Sequence, residues 1–590
     1  MEIPFSQSNV SNVSIARVNA ENTTILNAGG NSSVFAGIVV CNSGTPYEVL
    51  EVNSTNLYTK LGAPAHPTEG YCAEPMRHLE EAVTGGKGYV VRVTAADAKF
   101  PLLKWSMPTA SEPGQPQNPA AEGATEDTSE NAAETPIVET PKLKNSGKKT
   151  TAGTLLKAGS DTETAGPIPY AINTSALKYG ADVSANFSEN DVVMLYVIDG
   201  NPSTTRNVRF TPDAFNDKRL ILTLTETSAL GVVTTLDSYT VSLYTDVTDD
   251  HGSPAWIETQ LESKSRYLRA VAKPNPTGDY ADATVRLAAD RGATFFVGGT
   301  NGDQNNIPAE NYGRALKALR NTPAYYSAML GLGCYSRAVL NELSEIARNR
   351  RIDAFFDIDP RLSYAEALEK SDEYNFMDHE HIAFYHFPYT YRDKTSKATT
   401  VAGLSGTVFR AKAAGVQKIP SIGGWHYSPA GEERAVISRD NMKCASWAGE
   451  PDYDMMYVKR INKVATSRTG VMTIDDSLTA YRRENSLRLQ HVNSTMNAIA
   501  RDLYTLWGSI KHDPDDEVLN NLTRDTPRVF DSYVASKALV PPTEDTAGNT
   551  DPYIISYEQN TDDMWTVTYS CCVTGTARRI AGIPILLRKG

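Results

Sequence analysis

Between residues 106 and 168 the chain loses the means to fold on its own. The run "SEPGQPQNPAAEGATEDTSENAAETPIVETPK" is built mainly from Pro, Glu, Ala, Ser and Thr, with almost no large apolar side chain. Such a stretch buries too little surface to offset its chain entropy. It is expected as a surface loop, so the fold that precedes it has to be resumed after it. "SSVFAGIVVCNSG" (32–44), "EPMRHLEEAVTGG" (74–86) and "GYVVRVTA" (88–95) read as strand, helix and strand, the start of an α/β unit. The same pattern returns near residue 290. There "GATFFVGGTNGD", "YYSAMLGLG", "IDAFFDIDP" and "IAFYHFPYTYRD" read as strands, and "NYGRALKALRN", "SRAVLNELSEIARNR" and "TTVAGLSGTVFRAKAAG" carry helices.

The intervening segments "DVVMLYVIDG", "RNVRFTPDAF", "RLILTLTETS" and "SYTVSLYTD" alternate as short strands and read as an inserted β domain. Toward the C-terminus, Leu489, Val492, Met496, Ile499, Leu503 and Leu506 form one helical stripe, with Gly508 as its expected stop. "MWTVTYSCCVTG" alternates with period two, placing Trp565, Val567, Tyr569, Cys571 and Val573 on one face. The predicted class is α/β multidomain: an α/β core, an inserted β-rich domain, an α+β C-terminal domain and extended terminal arms. The expected boundaries are an arm at 1–28, core at 29–100, insertion at 101–250, core again at 251–439, the C-terminal domain at 440–575 and a linker strand at 576–590.

At 590 residues and a formal net charge of −13, the chain lacks the basic balance of a dedicated nucleic-acid binder. No signal peptide or membrane span is expected. The six cysteines show no ligand spacing and are expected as thiols in a reducing compartment. Motifs for chemistry are weak. Asp378, His379, Glu380, His381 and His386 do not form HExxH and lie on an expected strand, while "VGGTNGD" and "VTGGKGY" match no phosphate-binding pattern. Asp357 and Asp359 could pair at a strand end, but Asp before Pro also closes turns. A metal-dependent hydrolase using Asp357, Asp359, His379 and His381 is therefore the enzymatic alternative; no enzyme activity and no cofactor is the expectation. Lys459, Arg460, Lys463, Arg468, Arg482, Arg483 and Arg488 gather basic charge in an acidic chain, either as a solvated face or as a docking patch.

The segments resemble, in order, the contractile tail sheath proteins of myovirus-type phages and related injection machines. "VFAGIVVCNSGTPYEVLEVNSTNLYTKLGAP" is similar to the family's opening strand. "EPMRHLEEAVTGGKGYVVRVTA" is similar to its helix, glycine turn and strand, and "GSPAWIETQLESKSRYLRAV" to its return toward the core. "FVGGTNGD" resembles its "L.GG.dG" turn, with Asn301 where Asp is usual; "RIDAFFDIDP" and "VAGLSGTVFRAKAAGVQKIPSIGGWHYSPAGE" resemble later elements. The family's "wG.rT" element appears in altered form as "MTIDDSLTAYRRENS", and residues 513–542 depart from its pattern.

The resemblance implies a structural subunit that stacks as six-fold rings around a tail tube and contracts to drive it through a host envelope. It implies partners in further copies of itself, the tube protein, and baseplate and tail terminator proteins, without direct nucleic-acid contact or membrane insertion. The expected location is a virion tail assembled in the host cytoplasm. Terminal strands would be donated to neighbours, with Ser14, Ile15, Arg17 and Val18 in the first arm. Ile580, Ile583, Ile585 and Leu587 would serve in "RRIAGIPILLRKG", where flanking Arg and Lys discourage stray pairing. Lys459, Arg460, Lys463 and Arg468 would be the tube-docking candidates. Another self-assembling β-rich virion component, such as a capsid or spike protein, is the remaining alternative.

Overall fold

Strands with apolar side chains on both faces need cover on both sides. Phe35–Val40 has it in the interior of a seven-stranded sheet. The order is Ile461–Asn462, Ile382–Tyr385, Asp353–Asp357, Ala328–Leu330, Phe35–Val40, Gly88–Val93 and Val49–Val52. Every neighbouring pair is parallel except Val49–Val52 against Gly88–Val93. The computed structural model describes residues 33–108, 169–202, 205–227, 231–274, 280–289, 293–374, 379–543, 550–561 and 563–578.

Alternate residues of Phe35–Val40 serve opposite layers. Ala36 and Ile38 share one core with the helices Ala309–Asn321, Arg337–Asn349 and Tyr364–Glu373, and Phe35 and Val39 share another with Pro75–Ala82 and Ser405–Val416. Arg337–Asn349 buries Val339, Leu340, Leu343, Ile346 and Ala347, a single helical stripe. Tyr364–Glu373 begins at a capping box in which Ser363 and Glu366 bond each other's backbone N–H. Pro75–Ala82 and Ser405–Val416 approach so closely that a Cβ at Gly406 would lie 2.1 Å from the His78 carbonyl oxygen.

The insertion is two four-stranded antiparallel sheets over one core. One has the order Leu268–Ala272, Asp191–Val197, Phe100–Ser106, Ala171–Leu177; the other Thr294–Phe295, Arg206–Pro212, Leu220–Thr227, Val233–Val241. Leu220, Leu222 and Leu224 alternate inward and pack with Trp105, Leu195, Phe210 and Tyr244. Sheet membership therefore runs past the boundary expected at residue 250. The polar run there is a turn instead: the Asp249 carboxylate accepts from the N–H of His251 and Ser253, each at 2.9 Å, and pairs with Lys264 at 2.8 Å. Likewise "GATFFVGGTNGD" contributes Thr294–Phe295 to the insertion and not to the core sheet. "IAFYHFPYTYRD", expected as one strand, divides: Ile382–Tyr385 stays in the core, and Tyr389–Arg392 joins Thr399–Val401 and Asp440–Cys444. The boundary expected at 440 is crossed as well, because Ile461–Asn462 is the edge strand of the core sheet.

Arg92 joins the core to the insertion. Its side chain is 1 % exposed. Nε donates to the Cys41 carbonyl at 3.1 Å, Nη1 to the carbonyls of Gly44 and Gly200 at 2.8 and 2.5 Å, and Nη2 to Asn301 Oδ1 at 2.6 Å. Gly200 has φ +67°, and a Cβ there would strike the Gly44 carbonyl at 2.1 Å. Asn301 also donates through Nδ2 to the Asn42 carbonyl at 3.1 Å, which a carboxylate could not do. Arg92→Met should therefore cost about 3 kcal/mol or more, since it strands buried acceptors that had charged donors. Urea unfolding should show the midpoint falling, and amide exchange should show residues 198–202 losing protection first.

Candidate assembly site

The helix Gln490–Ile510 carries the expected stripe, but it is buried on more than that face. Ile499 and Leu503 are fully buried with Phe530, Tyr533 and Tyr569. The polar side chains Asn493, Ser494, Asn497 and Arg501 are 1–4 % exposed. Ser494 Oγ donates to the Asp353 carboxylate, Asn497 Nδ2 lies 3.3 Å from His381 Nδ1, and Arg501 Nη1 donates to the Arg351 carbonyl at 2.9 Å. The polar face thus docks on the N-terminal ends of the core strands, and the helix runs past the expected stop at Gly508 to a buried Ile510.

A second helix, Asp515–Ala535, returns alongside the first. Sequence reasoning missed it because Pro527 lies inside it. Trp507 Nε1 bonds Thr526 Oγ1 at 3.2 Å and Tyr533 OH bonds Asp502 at 2.6 Å, tying the two together. On them rests an antiparallel ribbon of Tyr553–Thr561 and Met564–Cys571. Of the alternating set expected from the sequence, Tyr569, Cys571 and Val573 join the core beneath the ribbon. Tyr569 is 2 % exposed and meets Phe530 edge-on at 4.6 Å, while Tyr553 stacks on Phe530 at 4.8 Å. Among the described residues the ribbon forms a two-stranded sheet with no third strand. Only its root is covered, by Leu539 bridging Val573. Most of both outer edges is therefore without a ladder partner among the described residues.

Beyond the ribbon the chain is held down. The Thr574 carbonyl and Thr576 Oγ1 each lie 3.2 Å from His491 Nε2. Arg578 pairs with both oxygens of Asp476 at 2.7 and 2.6 Å and lies 4.6 Å over the ring of Tyr457. The proposed strand residues Ile580, Ile583, Ile585 and Leu587, and Ser14, Ile15, Arg17 and Val18 of the first arm, lie outside the described residues.

Much of the basic patch is internally compensated. Lys459 pairs with Asp372 at 2.5 Å, Lys463 with Asp475 at 2.7 Å, and Arg488 with Glu484. Arg460 is 2 % exposed; it bonds Glu484 at 2.5 Å and the carbonyls of Tyr481, Tyr457 and Arg482. Arg468 is exposed and makes no ion pair among the described residues. Arg460→Met should thus destabilise by about 3 kcal/mol, whereas Arg468→Glu should stay within about 0.5 kcal/mol of the parent. Chemical denaturation of the two variants measures the contrast.

The residues of the hydrolase alternative have other partners. Asp357 is 2 % exposed and accepts from the Leu404 and Ser405 N–H groups at 2.6 and 3.0 Å, capping the helix Ser405–Val416. Asp359 accepts from Tyr71 OH at 2.9 Å and Arg361 at 3.2 Å. His379 and His381 are buried with ring centroids 5.8 Å apart, and no group of three metal-type ligands forms among the described residues.

Two buried imidazoles make stability sensitive to acid. Burial holds His386 and His491 down at about 4, with Lys412 adding to the effect at His491. The unfolded value is about 6.5, so the unfolded chain binds more protons between these limits. Their contribution is complete above about pH 6.5 and is lost as pH falls toward 4, at up to about 1.4 kcal/mol per pH unit for each. Denaturant midpoints measured across that window should decline, and His386→Phe should flatten the slope.

No protein-family model matches the chain, and no curated protein matches it. Among solved structures, it aligns with a sheath tail protein from Desulfitobacterium hafniense at 9% identity and TM-score 0.45, covering 94% of this chain and 100% of that one. A sheath tail protein from Listeria innocua aligns at 11% identity and TM-score 0.47, covering 93% and 96%. The contracted PVC sheath complex of an extracellular contractile injection system aligns at 14% identity and TM-score 0.37, covering 53% and 83%. Solved structures to which this chain is similar include tail sheath proteins and the sheath of a contractile injection system.

Proposed function

We propose that the chain is a structural subunit of a contractile tail sheath. Copies would stack as six-fold rings around a tail tube, joined by strands donated from residues 1–28 and 576–590. The observation that carries this reading is the ribbon Tyr553–Thr561 and Met564–Cys571, seated on a helix pair with its edges largely unpaired among the described residues. A ribbon of this kind accepts an added strand through main-chain hydrogen bonds, each worth about 0.5–1.5 kcal/mol net. The sequence motifs, in their order along the chain, support the same reading.

In this reading residues 440–590 face the tube, with Arg468 as the uncompensated docking charge, and the insertion lies outermost. Contraction runs downhill from a metastable stack, with donated strands keeping the rings linked as they widen. The other proposed partners are tube, baseplate and terminator proteins, within a phage tail or a related injection particle assembled in the host cytoplasm. No catalytic step enters.

Electron microscopy of purified full-length protein should show tubular polymers. Deleting residues 579–590 should leave a folded monomer that forms none; tubes of normal length from that variant would refute strand donation.

A further inference from the structure

The surface beside Arg578 is unusually apolar for so short a stretch. Ala445, Ala448 and Met456 anchor the segment to the core at 7, 0 and 2 % exposure. Facing outward, Trp447, Tyr453, Met455 and Val458 are 44, 52, 41 and 57 % exposed. Met455 and Val458 are three apart on the helix Tyr453–Val458, on the side away from Met456, so they form an outer stripe. Scattered exposed apolar residues need no explanation, but four within twelve positions mark a surface that something covers.

We infer that, before assembly, residues 579–590 of the same chain lie across this outer face. Arg578 rests on Tyr457, the helical residue next to Val458, so the following segment starts at the flank of the stripe. "RIAGIPILLRKG" supplies Ile580, Ile583, Ile585, Leu586 and Leu587. Extended, it reaches about 40 Å, against a helix about 9 Å long. The charges match: Arg579, Arg588 and Lys589 would meet exposed Glu450 and Asp454, which make no ion pair among the described residues, and Asp452, which caps Met455 N–H at 3.0 Å. A helix flank offers no ladder of backbone groups, so the contact is made by side chains and tolerates Pro584. Tethering gives the covering segment a high effective concentration at no cost in added protein, which favours the chain's own segment over a neighbour's.

The dock would shield an apolar, β-capable segment while the subunit is free and release it when a neighbour's ribbon offers main-chain pairing. Only that release rests on the sheath reading; the docking stands apart from it.

Hydrogen exchange on the monomeric size-exclusion fraction tests the contact. Compared with the full chain, a chain ending at Arg578 should exchange at least fivefold faster across residues 447–458, equally at every dilution. Added synthetic peptide 579–590 should restore the slow rate. Full-length protein carrying Ile583→Asp and Leu586→Asp should behave like the truncated chain. Unchanged exchange in the truncated or the doubly substituted protein would overturn the proposal. Protection that grows with protein concentration would also overturn it, naming a second copy as the occupant. Tubes are scored separately by microscopy, so absence of tubes with intact docking would refute the sheath reading alone.

Discussion

A single buried guanidinium holds the molecule's two halves in register. A domain inserted into a continuous sheet has to be fastened where the chain leaves and returns, or the sheet opens at that place. Arg92 stands at that junction, at the end of a core strand, and its donors reach a core loop, the insertion and the returning segment at Asn301. Burial lowers its pKa, yet a guanidinium stays charged under any ordinary condition. The charge is tolerated because four oxygens converge on it. Gly200 follows from the same demand, since a side chain there would push the insertion away from the Gly44 carbonyl.

A second polar knot binds the layers of the core. His78 Nε2 lies 3.1 Å from Glu74, and His78 Nδ1 lies 3.0 Å from Ser405 Oγ and 3.9 Å from Asp357. Burial by itself would lower the imidazole, but the Glu74 hydrogen bond and both carboxylates overrule it and raise its pKa. Glu74 also accepts from Tyr335, from Arg361 at 2.9 Å and from the Gly403 N–H at 2.9 Å, and is held down at about 2. A serine, a histidine and carboxylates in line suggest chemistry on paper. Here His78 and Ser405 are fully buried, and the groups cap one helix and fix another against a strand. Their contacts hold the layers of the core together.

The C-terminal region distributes its interactions differently. Its first helix, Gln490–Ile510, is buried on apolar and polar faces alike, while the ribbon above keeps its outer edges largely unpaired among the described residues. Rigid support beneath and open hydrogen bonding above suit the strand-accepting role proposed for the ribbon. The neighbouring cations show why charge counting misleads: Lys459, Arg460 and Lys463 gather in sequence, yet Asp372, Glu484 and Asp475 return to meet them.

Local pattern alone was sufficient for the core strands Ala328–Leu330 and Asp353–Asp357 and the helices Arg337–Asn349 and Ser405–Val416, because their apolar periodicity matches one buried face or two. It was sufficient also for the inward-facing Tyr569 and Cys571 of Met564–Cys571, while most of the loop expected over 106–168 lies outside the described residues. Tertiary structure decided the rest. Period-two alternation does not name a partner, so Thr294–Phe295 and Leu268–Ala272 could be assigned to the insertion only by pairing. Pro527 hid a helix that neighbouring side chains sustain, and Ser494, Asn497 and Arg501 were buried against distant partners the sequence cannot bring near. Which cations remained free was settled the same way, since a charge is compensated by whatever the fold places within reach, and that distance is a property of the packed molecule.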